Sequence, residues 1–151
     1  MQILNNERVT KDWVIKVNYL DLIEIGTGLT KVIATIPAGG YVESAWVVKT
    51  VAAAGSSSVV FDVGTTFADP DEFLNAVDAD GLTLNLPVFN TGDIMLQSAG
   101  TTTTLAGLTP AGLTATAKPV YLKLTDAAVA SLTAGEWLIG IRIGNTLQFL
   151  P

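Results

Sequence analysis

The densest group of potentially reactive side chains in this sequence is acidic. Asp69, Asp71, Glu72, Asp78 and Asp80 lie within VGTTFADPDEFLNAVDADG, residues 63–81, in a chain with only 14 acidic residues. Carboxylates gathered this way can hold a hard cation or divide into acid and base across a cleft. A calcium loop needs oxygen ligands at alternate positions, a glycine, and a bidentate Glu further on. Asp78, Asp80 and Gly81 supply the beginning of that pattern, but LTLNLP follows and no Glu stands at the required offset. Asp69 and Asp71 flank Pro70, with Glu72 next. That order suits a helix start better than a coordination shell. Asp69 is expected to be the N-cap, Pro70 the first helical residue, and Asp71 and Glu72 the negative first turn. Asp62, Asp69, Glu72 and Asp93 could be paired on paper as hydrolase acids, yet nothing in their spacing selects a pair.

Other reactive groups are fewer still. The sequence has no Cys and no His. Disulfides, zinc–thiolate sites, Cys nucleophiles, Ser–His–Asp triads and histidine pH switches are therefore excluded. GTGLTK, residues 26–31, lacks the spacing of a phosphate loop and is expected to be a hairpin turn between two strands. The three serines of VAAAGSSSVV belong to a small-residue hairpin tip, and a Ser–Lys arrangement with Lys49 has no further support. Trp13, Trp46 and Trp137 all fall in strand-like patterns, where core packing is favoured over ligand stacking. No catalytic, cofactor-binding or metal-ligating residue is assigned, and no cofactor is expected.

Charge narrows the partners. The net charge is −6, and no two of the eight basic residues are adjacent. Nucleic-acid binding by counterion release needs clustered Lys and Arg, so no nucleic-acid partner is expected. The apolar runs are broken far short of the roughly 20 residues of a membrane span, and no membrane partner is expected. MQILNNERVTKDW lacks a basic region followed by an apolar core, so we expect no secretory signal. Only 15% of residues are charged, and 49% are hydrophobic. A chain so short of charge is expected to cover part of its surface with neighbouring subunits.

The elements that must position these groups are mostly strands. Alternation predicts strands at 58–64 (Val59, Phe61 and Val63 inward), 82–87 (Leu82, Leu84, Leu86), 120–125 (Val120, Leu122, Leu124) and 136–144 (Trp137, Ile139, Ile141, Ile143). Further strands are predicted at 13–20, 31–36, 41–52, 93–97, 112–117 and 146–150. In 41–52, Val42, Trp46 and Val48 are expected to share one face. IPAGG (36–40) and LTAGE (132–136) resemble one another and suit two hairpins of one sheet. Helix is expected at 69–81, with Phe73, Leu74 and Val77 as its apolar face, and as a short turn in 125–135. Residues 98–118 are rich in Thr, Ala and Gly, and form either a loop packed on another subunit or a surface loop. The expected architecture is all-β: an antiparallel, jelly-roll-like β-sandwich with one or two short helices, in which 64–81 make a long Greek-key crossing. Residues 1–12 would be an N-terminal arm and 13–151 the sandwich domain.

Three segments carry a family resemblance. They are Pro37-Ala38-Gly39 with Val42; Val63-Gly64 with Asp69, Asp71, Phe73 and Leu74; and Thr133-Ala134-Gly135 with Ile139 and Ile141. Across most of residues 14–145, but not 98–118, this pattern resembles small virion structural proteins of tailed bacteriophages. The resemblance implies a homo-oligomer, most often a trimer, of β-sandwich subunits located in the virion at the capsid surface. It implies a decoration (cement) or head-fibre role with the major capsid protein as partner, and no enzyme activity. A tail, baseplate or fibre-associated protein is the alternative within that group, and a carbohydrate-binding sandwich module the alternative outside it.

Overall fold

The computed structural model describes residues 11–38, 40–56, 58–89, 91 and 116–145. Eight strands and one helix follow in order: β1 Lys11–Asn18, α1 Tyr19–Ile25, β2 Thr30–Ile36, β3 Gly40–Ala54, β4 Val60–Gly64, β5 Leu74–Asp78, β6 Val88–Phe89, β7 Lys118–Thr125 and β8 Ala134–Asn145. They form two four-stranded sheets, β1-β8-β3-β6 and β2-β7-β4-β5. All the pairings are antiparallel.

The pairing has a simple logic. The first strand pairs with the eighth, the second with the seventh, the third with the sixth and the fourth with the fifth. The chain is thus one long antiparallel strip folded back on itself. Rolling that strip up adds the β3–β8 and β4–β7 ladders and closes the two sheets. This is the jelly roll that the sequence suggests.

The core lies between the sheets. Sheet β1-β8-β3-β6 contributes Val17, Val42, Ala45, Val47, Trp137, Ile139, Ile141 and Ile143, all buried. The opposite sheet contributes Ala34, Ile36, Phe61, Val63, Leu74, Val77, Val120, Leu122 and Leu124. The inward residues expected on 58–64, 120–125 and 136–144 are all found there. At the centre, Phe61 meets Trp137 edge-on, with ring centroids 5.5 Å apart.

Several local expectations are overturned. No helix spans 69–81; Leu74–Asp78 is instead β5, hydrogen-bonded to β4. Phe73, Leu74 and Val77 are buried as expected, but from a strand. The register moves from Phe61↔Val77 to Val63↔Leu74, so β5 carries one extra residue. That bulge, with Ala76 at φ 48°, turns the period of two into a three-residue spacing that mimics a helix. Because β4 and β5 are neighbours, residues 65–73 connect strands within one sheet and the crossing lies at 79–87. Residues 82–87 form turns rather than a strand: Asn85 has φ 59°, and Leu86 N–H bonds to Thr83 O at 3.1 Å.

In β3 a bulge between Val42 and Ser44 reverses the alternation. Ala45, Val47 and Lys49 then face the core, while Trp46 and Val48 face out. The strand expected over 13–20 stops at Asn18 because a capping box starts α1 there. Asn18 Oδ1 accepts the Leu20 and Asp21 N–H groups (2.8 and 3.2 Å), and Asp21 Oδ2 accepts the Asn18 N–H (2.9 Å). Gly26, at φ 79°, ends the helix, so GTGLTK links a helix to a strand rather than two strands. The IPAGG and LTAGE segments are not hairpins, since each carries the chain from one sheet to the other. The short turn expected in 125–135 is a 3₁₀ turn at Val129–Ser131. Strands expected at 93–97 and 146–150, most of the one at 112–117, and most of the 1–12 arm and the 98–118 segment lie outside the described residues.

Candidate functional site

The five clustered acids do not converge. Asp69 pairs with Lys123 of β7 at 2.9 Å, and Lys123 also reaches Ala68 O at 3.5 Å. The bond to Asp69 holds the Lys123 ammonium above its ordinary pKa, and the nearby charges of Asp69, Asp62 and Asp71 add to this. Glu72 turns back over β4. Its carboxylate accepts the Thr65 N–H at 2.9 Å, the Thr66 N–H at 3.5 Å, and both threonine hydroxyls. Gly64 makes that possible, because a Cβ there would lie 1.7 Å from Glu72 Oε2. Asp78 Oδ1 accepts the Gly81 N–H at 2.9 Å. Among the described residues no group of three or more acids could hold a metal ion. Asp69, Glu72 and Asp78 are used locally, to fasten loops.

Fastening is most concentrated at the 79–87 crossing. Lys49 and Trp137 are register partners on β3 and β8, and both point inward. Trp137 Nε1–H donates to Ala79 O at 2.9 Å, and the Lys49 ammonium donates to the next carbonyl, Asp80 O. Farther along, Asn85 N–H donates to Lys49 O at 2.8 Å. A buried indole and a nearly buried lysine are thus committed to holding one surface loop. That loop exposes Leu84 (48%) and Leu86 (58%), and Phe89 beyond it is 55% exposed. The period-two leucines were expected to share one face of a half-buried strand; they lie on turns instead, with Leu84 and Leu86 exposed.

The outer face of sheet β1-β8-β3-β6 has two unlike halves. Across β1 and β8, charges are paired: Arg142 grips Asp12 through two bonds of 2.8 and 3.0 Å, and Lys16 meets Glu136 at 2.6 Å. The Arg142 bond holds the Asp12 carboxyl below its usual range. Bonds from Lys16 and Thr50 do the same for Glu136. Across β3 and β6 the surface is apolar. Trp46 lies over Gly140, where a Cβ would meet the indole at 1.9 Å, and it pairs in register with Phe89. Trp46, Val48, Pro87, Phe89 and Leu138, with Thr50 and Asn85, line a shallow concavity of about 460 Å³. Sequence reasoning missed this site, because the bulge in β3 decides that Trp46 is outside. A second cleft of about 410 Å³ is lined by Ile25, Leu29 and Phe67, among others.

Neither a family model nor a curated protein matches this chain. The fold does have a counterpart among solved structures. A chain of the cyanophage Pam1 capsid asymmetric unit superposes with a TM-score of 0.57, over 96% of this chain and 91% of that one. Identity is 11%, so the likeness is one of fold.

Proposed function

We propose that this protein is a structural component of a phage virion, a decoration protein that binds the assembled capsid shell and stabilises it. The observation that carries the proposal is the nearly complete two-way coverage between this jelly roll and a chain of a phage capsid unit. Since 96% of one corresponds to 91% of the other, the two chains are also similar in length. A non-enzymatic, structural role accords with the capsid chain whose fold this one shares.

In this reading the chain assembles as a homo-oligomer, a trimer, and seats several copies of one modest contact on neighbouring major capsid subunits. Linked contacts act through avidity. Because the protein binds the assembled state and not free subunits, it stabilises the shell by mass action. The test uses capsids of the phage that encodes the chain, assembled without it. The full-length protein should co-sediment with them and raise their disassembly temperature, and light scattering should give the mass of three chains. Electron microscopy that placed the protein on the tail would replace this reading with the tail-associated one.

A further inference from the structure

We infer that the 79–89 segment is the docking edge of the molecule, and that its occupant is an apolar, Lys/Arg-rimmed surface of the shell protein rather than a second copy of this chain. The inference rests on the capsid reading above and names the surface that reading leaves open. Leu84, Leu86 and Phe89 are each about half exposed; Phe89 lines the Trp46 concavity, and so do Asn85 and Pro87, which alternate with the leucines along the loop. Contiguous exposed apolar side chains mark binding surfaces, and leucines on a loose loop would lose affinity to ordering. Here the loop is held beforehand by Trp137, Lys49 and the Asn85 backbone bond. A loop held in place before a partner arrives loses little freedom on binding, so these bonds preorganise a contact.

Charge selects the occupant. Asp78 and Asp80 begin the loop, and no ion pair to either occurs among the described residues. A complementary partner therefore carries cations around an apolar centre. A second copy has few to offer. Among the described residues Lys16, Lys123 and Arg142 are paired with their own acids, Lys49 is buried, Lys31 lies 3.9 Å from Glu24, and Lys118 at the start of β7 is the one exposed cation left without an ion pair. Two copies meeting through this same edge would also bring like charges together.

The test compares the full-length protein with Leu84→Asp/Leu86→Asp and with Asp80→Asn, using the same chain-free capsids. The double variant should lose shell affinity by about thirtyfold or more, while its oligomer mass and melting temperature stay unchanged. Asp80→Asn, whose main-chain bond to Lys49 is kept, should bind with a flatter salt dependence than the parent. Unchanged affinity in the double variant overturns the inference and leaves the capsid reading standing. So does a lowered oligomer mass, which would make a second copy the occupant. A parent protein that binds no capsid overturns both.

Discussion

Trp137 and Trp46 stand on neighbouring strands of one sheet and face opposite ways. Trp137 is fully buried, edge-on to Phe61, with its indole N–H bonded to a loop carbonyl. Trp46 lies on the outside of the same sheet, filling the space that Gly140 leaves open. One face is a packed interior and the other a surface shaped for contact. The same side chain serves stability on one face and surface shape on the other, because burial and polar satisfaction differ. An indole N–H inside the core must have a partner, whereas one outside can use water.

The largest expected effect breaks the inner face. Trp137→Ala should destabilise the protein by about 3–5 kcal/mol, through the cavity and the unpaired Ala79 carbonyl. Chemical denaturation measures it, and a loss under about 2 kcal/mol would mean that the centre of the core lies elsewhere. Next is Lys49→Met, which keeps much of the stem but removes the ammonium from Asp80 O. We expect a loss of about 1–2 kcal/mol, with faster hydrogen exchange concentrated in residues 79–87. Uniformly faster exchange would argue that Lys49 supports the whole sandwich rather than the loop.

Trp46→Ala probes the outer face. It should cost only about 1 kcal/mol or less, the scale of a cross-strand aromatic contact. A loss as large as that of Trp137→Ala would erase the contrast between the two faces. The smallest effect concerns the paired charges beside it. Asp12 and Glu136 titrate below their ordinary range in the folded protein. Their stabilisation is therefore fully present above the unfolded values of about 4, and is lost as pH falls through the lower folded values. Denaturation midpoints measured from pH 6 to pH 2 should fall less steeply for Asp12→Asn than for the parent. Salt at about 1 M should shrink the difference, because these pairs are exposed.

The strands β4, β7 and β8 and their inward residues are legible because hydrophobic alternation there runs unbroken. The helix α1 also left a local signature, Asn18 with Asp21 and then Gly26, but it was masked by the apolar run before it. Residues 69–81 and 41–52 misled for one shared reason. A single bulge shifts the phase of every later side chain, and a bulge has no composition of its own. The candidate site depends on two such shifts and a turn, and so was not legible.

By itself, the sequence determined the all-β class, the residues of most of the core, and the absence of chemistry that needs Cys or His. These follow from residue type and short-range period, which act locally. Only the tertiary structure decided the rolled-up pairing of first strand with eighth, the outward face of Trp46, and the fastening of the 79–87 crossing. Those depend on which backbone groups far apart in the chain meet across a sheet, and no local pattern of side chains specifies that.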